Sequence, residues 1–311
     1  MKRLAIMLCV AASVVCANAK ILRVCNISGS SAPYSTIAQA HNVAADGDTI
    51  FIEGSPNGYD VYAGIPITKR LVLIGPGYML LENGIMEDGA DAASLGKINI
   101  QVQGVHVYGL TLGTVNIDAS DVVVSRCITG DIWLNKKSRC IIHQNHIMGG
   151  LYGTNKGSFD GAAAYASITN NIFDNNTIPN YANFRRFISS TIKYNTWINN
   201  LGAPNHFIFS DLDECTVENN ILPKAFVSTE SNHGENNYVF DETPFTNKET
   251  EVDIKNTELS FSQGKYGAFS GDDPYVISGI PAGAIIQDVT IPASVEQDKN
   301  LKVTVKLGIQ Q

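Results

Sequence analysis

Charged side chains are scarce in this chain. Lys, Arg, Asp and Glu make up 17% of its 311 residues and apolar residues 44%, a balance that excludes a wholly disordered chain. The charge that is present is mainly negative, with 30 acidic against 22 basic residues. Because an acidic surface repels phosphate backbones and anionic lipids, we expect no nucleic acid partner.

Long apolar runs are missing as well. The apolar run Leu4–Val15 is too short to be a transmembrane helix. Lys2 and Arg3 precede it and Ala17–Ala19 follows it, a pattern typical of a signal peptide and its cleavage site. We therefore predict a signal peptide at residues 1–19, bacterial export, and a secreted or cell-surface location without a transmembrane span. Its removal would change the net charge from −8 to −10, because two of the 22 basic residues are lost.

Cysteine is rare, and its spacing argues against a metal centre. None of the six cysteines forms the Cys-x-x-Cys pair that is typical of zinc ligands. His143 and His146 have the spacing of a metal-binding pair on a helix, but the surrounding segment lacks a helical pattern. We therefore predict no metal site and no cofactor from these residues.

A short phrase repeats in the middle of the chain. It reads apolar, two polar residues, Asn, any residue, apolar, and it starts at residues 142, 168, 192 and 217, with steps of 26, 24 and 25 residues. A period in the twenties is typical of solenoids. Asn tolerates left-handed backbone conformations, so each phrase predicts two short strands that meet at a bend. Stacked side chains at the bend would form a hydrogen-bonded ladder of Asn145, Asn171, Asn195 and Asn220.

The apolar positions of the phrase predict two interior columns, which place Phe173 and Trp197 in the core. Variants of the phrase continue the columns upstream, as Val107–Leu112 and Val123–Ile128. A further strand in each earlier turn gives three strands per turn, which predicts an all-β parallel β-helix. Cys140 and Cys215 share one column, three strand spacings or about 14 Å apart. That is too far for a disulfide, so we expect both to be small core residues.

The N-terminal segments resemble a known superfamily. Tyr34–Ala40, followed by Gly47–Ile50, resembles the N-terminal cap of the pectate-lyase-like right-handed parallel β-helix superfamily, and Ile67–Gly77 resembles its early coil. The resemblance covers residues 33–225. It implies an all-β, single-stranded right-handed parallel β-helix with three strands per turn at residues 20–225, covered by an N-terminal capping α-helix at about 34–45.

The remaining residues, 226–311, are expected to form a polar loop followed by a β-hairpin. Val289 alternates with Ile291, and Val303 alternates with Val305, with a polar turn between the two segments. We expect this region to cap the coil or to pack on it. The tail resembles those of secreted bacterial β-helix proteins of unassigned function.

Enzymes of this superfamily mostly act on polysaccharides. The resemblance therefore implies one of two chemistries. Lyases cleave by elimination, often with calcium, and hydrolases use paired Asp residues. The candidate catalytic residues are Arg185, Arg186, Asp211 and Asp213. An Arg pair can hold a sugar carboxylate. Two Asp residues two positions apart on a strand share a face, so they can bind calcium or supply an acid and a base. The candidate substrate-binding residues are Lys193, Tyr165, Tyr194 and Asp160.

The alternative is that these residues are solvated outward side chains of the coil, because no catalytic motif surrounds them. The sequence favours an exported β-helix protein that binds a polysaccharide or cell-surface glycan, or is structural, without catalysis. A polysaccharide lyase or glycoside hydrolase, with calcium if it is a lyase, remains the other hypothesis.

Overall fold

The structure, a computed structural model, describes most of the chain. The described residues are 19–85, 91–135, 138–153, 164–174, 184–199, 209–226, 228–240, 242–281, 284–290 and 304–309. All but the last residue of the predicted signal peptide lies outside them, and so does the candidate Asp160. Among the described residues, no helix has the length and apolar character needed to cross a membrane.

The described residues form 24 strands, two α-helices and one short 3-10 helix. In chain order the strands are β1 (Ile21–Val24), β2 (Thr49–Ile52), β3 (Tyr59–Ile67), β4 (Val72–Ile74), β5 (Ser94–Ile100), β6 (His106–Tyr108), β7 (Thr111–Ile117), β8 (Val123–Ser125), β9 (Ile128–Trp133), β10 (Ser138–His143), β11 (His146–Ile147), β12 (Leu151–Tyr152), β13 (Tyr165–Thr169), β14 (Ile172–Phe173), β15 (Phe184–Ile188), β16 (Thr191–Lys193), β17 (Thr196–Trp197), β18 (Phe209–Asp213), β19 (Thr216–Glu218), β20 (Ile221–Leu222), β21 (His233–Glu235), β22 (Tyr238–Val239), β23 (Ala284–Thr290) and β24 (Thr304–Ile309). The helices are α1 (Ile37–Val43) and α2 (Glu251–Ser262), and the 3-10 helix is Ile277–Gly279.

Two long parallel sheets dominate the fold. Sheet A has the order β1-β2-β4-β6-β8-β10-β13-β16-β19-β21. Sheet B begins as β3-β5-β7-β9 and then divides, because one end of β9 pairs with β11 and the other with β12. The chain passes alternately between the two sheets, which is compatible with a β-helix or another solenoid. The prediction of a mostly parallel all-β fold is confirmed.

A stack of glycines lies in the middle of the long strands of sheet B. A Cβ atom added to Gly113 would lie 2.1 Å from the carbonyl oxygen of Gly96, and one added to Gly130 would lie 2.1 Å from that of Gly113. Only glycine permits this close approach of successive turns. The stack marks the point at which the single row of strands β5, β7 and β9 becomes the two rows that follow.

Helix α1 covers the N-terminal end of the coil, close to the predicted residues. Thr36 accepts a hydrogen bond from the backbone of Gln39, whose side chain returns the bond in a capping box. Ile37 and Ala40 are buried in the main hydrophobic core. The helix contacts β1, β2 and β3, so a helix forms within the predicted range, although it is shorter than expected.

The C-terminal end of α1 is held by one lysine. The Nζ atom of Lys69 donates to the carbonyl oxygens of His41, Asn42 and Ala44 at 2.7, 2.9 and 2.8 Å. A cation at this end also complements the helix dipole. We expect Lys69→Met to lower the free energy of unfolding by about 1–2 kcal/mol, measured by urea denaturation. Lys265→Met, at an exposed lysine, is the control, and equal effects of the two substitutions would contradict this assignment.

A column of hydrogen-bonded asparagines runs through the bends. The backbone N–H of Asn145 donates to Oδ1 of Asn171, that of Asn171 to Asn195 and that of Asn195 to Asn220, at 2.8–3.0 Å. Each side-chain amide also donates to the next Oδ1 in the column. The column extends one turn further, because Asn220 bonds to Asn237 in the same way.

The bend differs from the sequence prediction in two details. The left-handed residue is the one before each ladder Asn, and Gln144, Asn170 and Tyr194 all have φ near +54°. The ladder Asn itself bonds the neighbouring turns. The phrase at Val123 is also one residue out of register, because Val124 pairs with Ile142, which places Cys127 at the Asn position.

The interior matches the predicted columns elsewhere. Phe173 and Trp197 are buried and stack with their ring centroids 4.3 Å apart, which confirms their place in the core. Cys140 and Cys215 are buried in the core, as predicted, and burial is the main cause that raises the pKa of each.

The region after residue 226 contains more structure than a loop and a hairpin. The hairpin exists, as antiparallel β23 and β24. However, β21 and β22 add a turn to the coil, and α2 forms within the segment expected to be a loop. The additional turn is not recognisable in the sequence, because Gly234 occupies a position that is apolar in the other copies of the phrase. The helix is not recognisable either, because the buried face of α2 includes the acidic residues Glu251 and Glu258.

Candidate functional site

A cleft of about 360 Å³ lies on the outer surface of sheet A. Its floor is built from side chains of β4, β6, β8 and β10, and one wall comes from residues 270–281, which we name the strap. The volume is within the usual range for small-molecule sites. The lining residues are Ile74, Tyr108, Val123, Ser125, Arg126, Ile141, His143, Gln144, Asp273 and Pro281.

The floor follows from strand register. Tyr108, Ser125 and His143 are paired positions of β6, β8 and β10, each directly after an inward apolar residue. Alternation along a strand therefore turns them outward. Val123 and Ile141, two positions earlier on β8 and β10, are outward for the same reason. The floor thus combines apolar carbon with one phenol and one imidazole.

The imidazole of His143 connects the floor to the strap. Its Nε2 atom is 2.9 Å from Oδ2 of Asp273, and its Nδ1 atom is 2.8 Å from Oγ1 of Thr169. Burial lowers the pKa of His143 more than the neighbouring carboxylate raises it. The ring is therefore mainly neutral near pH 7, and both of its nitrogens are engaged.

Two further side chains fix the strap at the edge of the cleft. Gln144 donates from Nε2 to the carbonyl oxygen of Pro274 at 2.6 Å and to Oδ1 of Asp273 at 2.8 Å. Arg126 donates from Nε to Gln144 and from Nη1 to the carbonyl oxygen of Ile280, at 2.7 and 3.0 Å. The wall of the cleft is therefore tied to two successive bends of the coil.

The candidate catalytic residues lie elsewhere, on β15 and β18 of sheet B. Nε of Arg186 is 3.4 Å from Oδ2 of Asp211, so the structure brings these two together as a partly exposed ion pair. The guanidinium of Arg185 lies 5.2 Å from the ring centre of Tyr152. Arg186 and Asp211 have φ values of 67° and 57°, so the strict alternation used to place Asp211 and Asp213 on one face does not apply.

The candidate substrate-binding residues are also dispersed. Lys193, on β16, forms an ion pair of 2.6 Å with Glu218 on the next turn. Tyr165 is exposed at the start of β13. Tyr194 lies at a bend, with its ring close to Gly271. None of the catalytic or substrate-binding candidates in the described part of the chain is among the residues lining the cleft.

No family model matches the chain, and no curated protein or solved structure is significantly similar to it. Within the described residues, no group of three or more His, Cys, Asp or Glu side chains is arranged to hold a metal ion. The function is therefore argued from the cleft itself.

Proposed function

We propose that this protein is an exported, single-stranded right-handed parallel β-helix with three strands per turn, of the pectate-lyase-like type, and that it binds a glycan in the cleft on sheet A. The passage of the chain between two parallel sheets, the bonded asparagine column and the N-terminal helix support the architecture. The pattern of residues 1–19 supports export.

The composition of the cleft is the observation that carries the binding proposal. Apolar side chains and the half-buried ring of Tyr108 form the floor, while Arg126 and Asp273 supply charged groups at the rim. A sugar has the same division, with apolar C–H faces and hydroxyl edges. Binding sites of this kind combine a mainly apolar lining with a few fixed polar groups.

The state of His143 favours binding over catalysis. To act as a general base, His143 would need a ring nitrogen within reach of the substrate. Both ring nitrogens of His143 are bonded to protein groups, Thr169 on one side and Asp273 on the other. The imidazole therefore serves to hold the wall of the cleft.

A polysaccharide lyase or glycoside hydrolase is the second candidate function. It is favoured by the presence of Tyr108 and Arg126 in one cleft. A lyase needs a cation that binds a uronate carboxylate and a base that accepts the neighbouring proton. The guanidinium of Arg126 can supply the first, and Tyr108 can supply the second once its phenol is ionised.

Titration of the mature chain with a panel of neutral and acidic oligosaccharides tests the proposal. We expect saturable binding by the wild type in isothermal titration calorimetry. Tyr108→Ala is expected to weaken binding at least about tenfold, because Tyr108 is the one Phe, Tyr or Trp among the lining residues and its ring can stack on a sugar face.

Tyr165→Ala is the matched control, because Tyr165 is a tyrosine of the same sheet that lies outside the cleft. Equal losses in both variants, or no binding to any glycan, would contradict the proposal. Appearance of the ultraviolet absorbance of an unsaturated uronate would establish a lyase, and new reducing ends without that absorbance would establish a hydrolase.

A further inference from the structure

The strap crosses the corner between the two sheets, and a buried carboxylate lies on its other side. Glu251, the first residue of α2, is fully buried. Its Oε2 atom accepts from the backbone N–H of Ser278 at 2.6 Å and from Nδ2 of Asn83 at 3.2 Å. Its Oε1 atom accepts from the hydroxyl of Tyr275 and is 3.1 Å from Nδ1 of His146. Four donors therefore converge on one side chain.

Two of those donors belong to the strap. Tyr275 and Ser278 stand between Asp273 and Pro281, the two strap residues that line the cleft. The hydroxyl of Tyr275 also bonds to that of Tyr78, at 2.5 Å. The part of the strap that forms the cleft wall is thus seated on the carboxylate of Glu251.

The histidine pair noted in the sequence acts on the strap from two sides. His143, at the end of β10, bonds to Asp273 above sheet A. His146, at the start of β11, bonds to Glu251 above sheet B. The bend between them, at Gln144 and Asn145, is the corner that the strap crosses.

Electrostatic attraction adds to the hydrogen bonds that Glu251 accepts. Burial alone would lower the pKa of His146, but the nearby carboxylates of Asp174, 3.8 Å from Nε2, and Glu251, hydrogen-bonded to Nδ1, outweigh it and raise the pKa to about 9. A cationic His146 then faces the carboxylate near neutral pH. Removal of one member of such a buried pair leaves the other charge without compensation.

From these contacts we propose that Glu251 is a positioning residue for the cleft. Its carboxylate seats the strap through Tyr275 and Ser278 and so holds Asp273 and Pro281 in the arrangement that binds ligand. This inference rests on the proposed glycan binding. It adds that the affinity of the sheet A cleft depends on a side chain that cannot touch the ligand.

Hydrogen–deuterium exchange and calorimetry on the same variants test this inference. In Glu251→Ala we expect the amides of residues 270–281 to exchange at least about tenfold faster, and glycan affinity to fall at least about tenfold. Glu251→Gln keeps an acceptor for the Ser278 amide but removes the negative charge, so it should lie between the wild type and Glu251→Ala in both measurements. Partial rescue of this kind would not follow from a general loss of stability.

Lys69→Met is the matched control, because it weakens the contact between α1 and the coil and removes none of the hydrogen bonds of the strap. It should leave both the exchange of the strap and the glycan affinity unchanged. Unchanged strap exchange in Glu251→Ala would overturn the inference, and so would faster exchange with unchanged affinity. If the wild type itself binds no glycan, the proposed function fails, and the exchange data alone then decide whether Glu251 seats the strap.

Discussion

Replacement of Asn195 with alanine is expected to lower the free energy of unfolding by more than about 4 kcal/mol. The Oδ1 atom of Asn195 accepts from the backbone and side-chain amides of Asn171 at 3.0 and 2.9 Å. Its Nδ2 atom donates to the carbonyl oxygens of Ile168 and Lys193 and to Oδ1 of Asn220, at 3.0, 3.1 and 3.0 Å. The site is fully buried, so water cannot replace these partners. Each orphaned buried group costs about 1–3 kcal/mol, and several are created at once.

Urea denaturation followed by circular dichroism measures this effect. Asn237→Ala is the matched control, because Asn237 is half-buried and its side chain bonds only Asn220 and Val217 among the described residues. We expect the control to cost less than half as much. A loss of under about 1 kcal/mol for Asn195→Ala would show that the column is not a source of stability.

The asparagine column is also where the sequence is most informative. Strand register forces equivalent positions of successive turns on top of each other, so the spacing of the phrase predicts which residues are neighbours. The prediction is wrong by one residue at Val123, because the apolar residues Val123 and Ile128 fit the phrase with Arg126 at its Asn position, whereas Val124 is the residue that pairs with Ile142. Arg126 occupies the left-handed position, with φ 54°, and Cys127 occupies the ladder position.

The cleft could be predicted only in part. Correct register would have stacked Tyr108, Ser125 and His143 on one outer surface, since their pairing follows from the repeat. Its wall could not be predicted, because Asp273 meets His143 across 130 residues and no local pattern encodes that contact. The candidates Arg185 and Asp211 had a clear charge pattern, but charge pattern alone does not place a side chain in a cleft.

Glu258 should make the protein less stable as the pH rises. It is fully buried on α2, where its carboxylate accepts from Oγ1 of Thr196 at 2.6 Å and from the backbone N–H of Phe269 at 2.9 Å. Burial raises its pKa from 4.5 to about 7, because these hydrogen bonds only partly offset the loss of hydration. The folded protein therefore holds this proton more tightly than the unfolded chain. Its contribution is fully present below about pH 4.5 and is lost as the pH rises through 7.

Glu258→Gln isolates this effect, because glutamine keeps the shape of the side chain and does not titrate. By linkage, the raised pKa costs the wild type roughly 3 kcal/mol above about pH 8 relative to about pH 4. His146, whose raised pKa also favours the folded state at lower pH, titrates in both proteins and cancels in the comparison. Unfolding free energies measured at intervals between about pH 5 and 8 should therefore diverge in favour of the variant. If the unfolding free energies of the two proteins instead change in parallel over that range, Glu258 is already ionised in the folded protein at the acidic end. The contacts of Thr196 and Phe269 would then stabilise the charge as well as water does.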